Sequence, residues 1–258
     1  MKHGIALLSV LPLRKEPTHR SELVSQLLFG ETYDVVETQE KWLKVKCTYD
    51  DYEGWLDISQ HTGLTGKDFT QITNALTGIP VDLVGSATSS EKLIPIVAGS
   101  SLPDYDGMNF KIVKEKFIYN AQALVPDTSK PVNGLLEKIA MRYLHAPYLW
   151  GGRSPFGIDC SGFTQTVYKF LGIALKRDAY QQAEQGSTLN FVEEAQNGDL
   201  AFFNNEEGKI IHTGIILKDN RIIHASGKVR IDKLDHFGIY NADTKKYSHT
   251  LKIIKRVI

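Results

Sequence analysis

The hydrophobic period of this chain changes once, near residue 130, and that change limits the folds open to it. Before it, apolar residues alternate in short runs broken by polar turns. Examples are Tyr33-Asp34-Val35-Val36-Glu37, Trp42-Leu43-Lys44-Val45-Lys46 and Glu53-Gly54-Trp55-Leu56. After it, Leu135, Leu136, Ile139, Ala140, Tyr143 and Leu144 recur at helical spacing. Phe163, Val167, Phe170 and Leu171 share one face of a second helix that stops at Gly172. A short third helix is expected over 178–185. Strand runs then return at residues 199–203, 213–217, 221–224 and 251–254, with Asp219-Asn220 as a hairpin turn. Helices followed by antiparallel strands define an α+β unit over 131–258.

The β-rich first half divides further. In residues 1–62, Pro12-Leu13-Arg14, Glu16-Pro17, Leu27-Leu28-Phe29-Gly30-Glu31 and Gly54-Trp55 resemble a bacterial SH3-like domain. Residues 63–126 carry weaker strand signals at 80–84, 93–97 and 110–113, and predict a second SH3-like barrel. Pro126-Asp127-Thr128-Ser129-Lys130-Pro131 is the expected linker. The apolar stretch from Ile5 to Leu13 is short and runs into Arg14-Lys15-Glu16. It reads as a strand, not a leader, so a cytoplasmic location is expected.

Lys plus Arg and Asp plus Glu number 30 each, so no basic excess points to nucleic acid or an anionic membrane. No apolar run is long enough to span a bilayer. The two cysteines, Cys47 and Cys160, form no CxxC pair or Cys/His ligand spacing, so neither a metal nor another cofactor is expected.

The chemistry concentrates in Tyr148-Leu149-Trp150-Gly151-Gly152 and Gly157-Ile158-Asp159-Cys160-Ser161-Gly162-Phe163. Cys160 falls at the start of an amphipathic helix. Partial positive charge there is expected to lower the thiol pKa, and free amides can hold an oxyanion. His212 and His224 flank the hairpin turn, so adjacent strands can bring them together. His212 then serves as base and acid, with His224 holding its other nitrogen. The other six histidines, including His3, His145 and His249, read as surface or structural.

Asp-Cys-Ser-Gly-Phe, His-Thr-Gly-Ile and Ile-His-Ala-Ser-Gly at these separations resemble the NlpC family of papain-like cell-wall cysteine peptidases, over about residues 131–258. With the SH3-like segments ahead, the pattern is similar to the subgroup of γ-D-glutamyl-L-diamino-acid endopeptidases, the dipeptidyl-peptidase VI type. The resemblance implies Cys160 as nucleophile, His212 as base, His224 as orienting residue and Tyr148 at the oxyanion site. It implies Asp159 and Ser161 as substrate-holding residues, and Arg177 to Gln182 as a segment bordering the site. The family usually has Ser or Thr where Asp178 or Ala179 stands here.

The bond cut in that subgroup joins D-glutamate, through its side-chain carboxyl, to a diamino acid in short murein peptides with a free N-terminal L-Ala. Asp159 is the expected carboxylate for that amine. Tyr52, Glu53 and Trp55 of the barrel are candidate walls of the cleft. The competing expectations are an amidase or acyltransferase on the same scaffold, and a non-catalytic wall-binding protein.

Overall fold

The computed structural model describes residues 1–127 and 134–258. Two compact units emerge, one of Met1–Ser129 with Trp150–Pro155, the other of Lys130–Leu149 with Phe156–Ile258. Residues 128–131 of the expected linker lie outside the described residues.

In the first unit, β1 (His3–Ile5), β2 (Val10–Arg14), β3 (Leu23–Leu28), β4 (Thr32–Gln39), β5 (Trp42–Cys47), β6 (Glu53–Asp57) and β7 (Thr62–Leu64) form one sheet. Its order is β3-β2-β6-β5-β4-β1-β7. The single N-terminal strand expected from Ile5 to Leu13 is broken into β1 and β2. Alternation works as read: Leu43, Val45 and Cys47 of β5 point inward to Leu11, Leu13, Leu27, Tyr33 and Leu56.

Helix α1 (Gly66–Thr73) is capped by Thr65, whose side chain accepts from the Asp68 amide. It precedes β8 (Thr77–Pro80), β9 (Val84–Thr88), β10 (Leu93–Val97), β11 (Leu102–Pro103), β12 (Asn109–Ile112), β13 (Glu115–Tyr119) and β14 (Ala123–Leu124). These make a four-stranded sheet, β10-β9-β13-β12, and a three-stranded one, β11-β8-β14. These two sheets are not clearly the second SH3-like barrel expected over residues 63–126. Ala87, Ile96, Phe110 and Phe117 do not enclose a core of their own, because they pack with Ile5, Phe29 and Leu64 from the preceding segment.

The segment β15 (Arg153–Ser154) also belongs to this unit. Arg153 and Glu31 are 2% and 3% exposed, and the guanidinium meets the carboxylate at 2.8 and 3.0 Å. Arg153 also bonds the carbonyl of Gln26 at 2.7 Å. This pairing offsets the cost of burying two charges.

The second unit opens with α2 (Leu135–Arg142), followed by β16 (Gly157–Ile158), α3 (Cys160–Lys169) and α4 (Ala179–Gln182). Its strands are β17 (Ser187–Leu189), β18 (Leu200–Asn204), β19 (Ile210–Leu217), β20 (Arg221–Ser226), β21 (Lys228–Asp235), β22 (Gly238–Asn241) and β23 (Lys246–Arg256). The order is β17-β23-β18-β19-β20-β21-β22, and β22 also pairs with β23. The antiparallel sheet therefore closes on itself as a six-stranded barrel, with β17 outside the ring. Helix α3 packs on β19 and β20. The turn at residues 218–220 holds Asp219 and Asn220 at φ 59° and 53°, a region Asp and Asn tolerate.

Side-chain alternation puts Phe203, His212, Ile216, Ile222, His224, Asp232, Leu234 and Ile239 on one face, the face of the barrel core. The site is thus built at the polar end of an otherwise apolar interior.

Candidate active site

Asp159 caps α3 by accepting from the Gly162 amide at 2.6 Å, which stabilises the helix start by about 1 kcal/mol. That cap fixes Cys160 as the first helical residue. The Cys160 sulfur is 6% exposed with its residue and receives the backbone N–H of Thr213, the neighbour of His212. Burial pushes the thiol up to about 12, and the Asp159 charge adds to that rise. The Thr213 amide and Arg177 pull the other way but do not prevail. The lowered thiol pKa expected from the helix start is therefore not found in the free protein. Two oriented amides, of Thr213 and Ser161, are outweighed by a dry site with a carboxylate next to it.

His212 and His224 are brought together: Nε2 of His212 lies 2.8 Å from Nδ1 of His224. Both rings are buried. Gly214 makes this possible. It stands directly opposite His224, and a Cβ there would fall 2.8 Å from His224 Cβ. The relay does not end at His224. Nε2 of His224 is 3.0 Å from Oδ2 of Asp232, and Arg230 meets that carboxylate at 2.7 and 2.8 Å. Burial lowers the pKa of His224 even against the Asp232 charge, and lowers that of His212 much further, helped by its histidine neighbours. Burial raises Asp232, but the bonds from His224 and Arg230 leave it below the usual range.

A hydrogen bond between two neutral imidazoles fixes tautomers. With Nε2 of His212 engaged by His224, its Nδ1 is the nitrogen left for a reacting proton. This arrangement can take a proton from a thiol and return it to a leaving amine.

Tyr148 is set beside this centre by its backbone. Its amide donates to the Gly227 carbonyl at 3.0 Å, and the residue bridges Ile158, two positions before Cys160. Burial, then the charges of Cys160 and Asp159, keep its hydroxyl protonated, so it is a donor.

Asp159 does not stand open to an amine in this structure. Arg177, 1% exposed, grips it at 2.6 and 3.1 Å and donates to Ser161 Oγ at 3.0 Å. Arg177, expected at the substrate, is thus a buried counter-ion behind Asp159 and Ser161. Gln182 completes that wall, accepting from Thr164 at 2.7 Å and donating to the Ser161 carbonyl at 3.0 Å.

The barrel candidates lie in the first unit. Trp55 is buried, paired across the sheet with Lys44 and Arg14. Glu53 is exposed and bridges Lys44 at 2.8 Å. Tyr52 packs against the barrel core.

Ring nitrogens of His212, His224 and His249 come within 4.8 Å of one another. His212 and His249 are stacked with planes 19° apart, however. Imidazole lone pairs lie in the ring plane, so two stacked rings cannot both aim at one ion. As arranged, the cluster does not fit a metal.

A buried thiol at a helix start, backed by a strand-borne imidazole relay ending in a carboxylate, defines a cysteine peptidase. Residues 145–248 match the NlpC/P60 family and residues 13–60 the bacterial dipeptidyl-peptidase SH3 domain. The chain thus carries an NlpC/P60 domain preceded by a bacterial dipeptidyl-peptidase SH3 domain. It is 28% identical to a γ-D-glutamyl-L-lysine dipeptidyl-peptidase of Bacillus cereus, over 81% of this chain and 68% of that one. It is 27% identical to dipeptidyl-peptidase 6 of Lysinibacillus sphaericus, over 90% and 92%. The crystal structure of an NlpC/P60 family protein from Bacillus cereus has the same fold, with TM-score 0.82 and 22% identity over 99% of each chain.

Proposed function

We propose that this enzyme hydrolyses the γ-D-glutamyl–diamino acid bond of short murein peptides that carry a free N-terminus. The observation that carries the chemistry is the 2.8 Å His212–His224 bond, which leaves His212 Nδ1 for the thiol. Cys160 gives its proton to His212 as the sulfur attacks the γ-carbonyl carbon. Tyr148 donates to the oxygen as it becomes an oxyanion. Collapse breaks the C–N bond, and His212 passes its proton to the departing amine. Water then attacks the thioester, His212 takes its proton, and the proton returns to the sulfur as the acid leaves.

The substrate class rests on the names of the relatives. A dipeptidyl-peptidase removes two residues from a free N-terminus, and the relatives' bond is γ-D-glutamyl-L-lysine. Asp159 and Ser161, held by Arg177, are the proposed contacts to the peptide in the second unit. Tyr52, Glu53 and Trp55 are the proposed wall from the SH3-like domain, with residues 63–126 as the proposed second SH3-like β domain. A cytoplasmic role in recycling trimmed wall peptides is the proposed setting, and cell fractionation tests it.

The direct test uses L-Ala-γ-D-Glu-L-Lys and its N-acetylated form, with products identified by mass. The free peptide should yield L-Ala-D-Glu and lysine, and Cys160→Ala should yield neither. Equal cleavage of the acetylated peptide would remove the free-amine requirement. An active Cys160→Ala protein would remove the mechanism.

A further inference from the structure

We infer that His249, on β23, is a positioning residue whose ring face holds the His212 imidazole in line with the Cys160 thiol. The inference rests on the reading of His212 as the base.

A hydrogen bond fixes only one atom of a ring. With Nε2 tied to His224, the His212 imidazole can still rock about that bond and swing Nδ1 away from the sulfur. His249 removes this freedom. Its ring lies flat on His212, centroids 4.0 Å apart and planes 19° apart. Phe203 flanks both rings, at 5.8 Å from His212 and 5.9 Å from His249. His224 stands edge-on to the pair, at 5.0 Å from His212 and 5.8 Å from His249. The base is therefore held in plane by one histidine and from above by another.

The backbone is shaped to deliver His249. Strand β18 lies between β19 and β23, so His212 and His249 are not on neighbouring strands. The register of β18 slips on both sides of Phe203, between Phe202 and Phe203 toward β23 and between Phe203 and Asn204 toward β19. Bulges of this kind re-aim side chains beside active sites. On the other flank Gly238 sits at φ +138°, and a Cβ there would fall 1.8 Å from the His249 carbonyl oxygen. Only glycine lets β22 come this close to the backbone of His249.

The stack also suits the charge His212 carries midway through the cycle. A neutral aromatic face attracts an imidazolium, whereas a charged one repels it. The ionisable groups around His249 are His212, His224 and Asp232. Burial takes His249 down to about 4, and Asp232 does not offset this, so the ring is neutral in the working range. Its Nδ1 is 2.9 Å from Oγ of Ser248, which fixes its own orientation.

The experiment compares His249→Ala, His249→Phe and His212→Ala in the full chain, on the free tripeptide, with kcat and KM measured across pH. His249→Ala should lower kcat roughly 10- to 100-fold with KM within about twofold, since a tilted base costs the chemical step and not binding. Its acid limb should move up toward the ordinary histidine value as water reaches the exposed ring. His249→Phe, which keeps a neutral face, should recover most of kcat and leave the limb in place. A His249→Ala enzyme with wild-type kcat and limb would overturn the inference, as would a folded His249→Phe enzyme as impaired as the Ala one. His212→Ala isolates the underlying reading: if that variant turns over normally, the base assignment itself fails, whatever the His249 variants do.

Discussion

His224 is engaged at both ring nitrogens, 2.8 Å from His212 on one side and 3.0 Å from Asp232 on the other. The carboxylate is held in turn by Arg230. Asp232→Asn keeps the size but removes the charge that supports the relay. The expected outcome is a fall in kcat of roughly 10- to 100-fold with little change in KM, read by steady-state kinetics on the tripeptide. Wild-type kcat in that variant would show that the relay stops at His224.

Gly214 gives a purely steric prediction. An added methyl would press on His224 Cβ, whose position is fixed by the backbone of the next strand, so it cannot swing aside. Gly214→Ala should cost about 1–3 kcal/mol of stability by overpacking. It should also cut kcat by moving His224 from His212. Thermal melts and kinetics on one preparation check both effects.

The pH behaviour follows from a thiol pushed up to about 12 and an imidazole held far below its ordinary 6.5. Both shifts favour the uncharged forms of the resting pair at neutral pH. Alkylation of Cys160 by iodoacetamide should rise steadily from pH 6 to 9 with no neutral plateau. The acid limb of kcat/KM should lie below pH 6.5. A flat alkylation profile would contradict this.

Stability should follow the same sign. His212, His224, His249 and Asp232 all have lowered pKa values in the folded protein. The unfolded chain then binds more protons than the folded one as acid is added, so stability falls with pH. For the histidines the loss begins near 6.5 and continues through their folded values; for Asp232 it begins near 3.8. Melting temperature should therefore decline from pH 7 to pH 5. Replacing His249 with Phe should make that decline shallower.

The buried Glu31–Arg153 pair makes a different kind of test. Glu31→Gln or Arg153→Met alone strands a buried charged group and should cost about 3–5 kcal/mol. Glu31→Leu with Arg153→Met removes both and should cost less than either single change. Urea denaturation of the three variants measures the difference.

The helix start that carries Cys160 and the hairpin that pairs the strands of His212 and His224 were legible because their signals are local: a cap residue and a turn. Asp232 was not. In Lys228-Val229-Arg230-Ile231-Asp232 the polar residues alternate as an exposed face would, yet Asp232 is turned inward because its charge is used there. His249 sits in the polar run Tyr247-Ser248-His249-Thr250, and its partner lies two strands away across a slipped register that no periodicity encodes. The extent of a second barrel is not legible for a related reason. Alternation marks residues 77–124 as strands but does not say that Phe29 and Ile5 complete their core.

The polypeptide leaves the peptidase unit after Leu149, between Tyr148 and Cys160, and rejoins it at Phe156. The segment between is folded into the SH3-like unit, with Arg153 anchored on Glu31. Module shuffling that joins this peptidase to a foreign partner at one splice point would carry along a hairpin whose anchor has been left behind. A graft of residues 131–258 carries Arg153 with it, and that guanidinium is buried at low cost only where a carboxylate takes the place of Glu31.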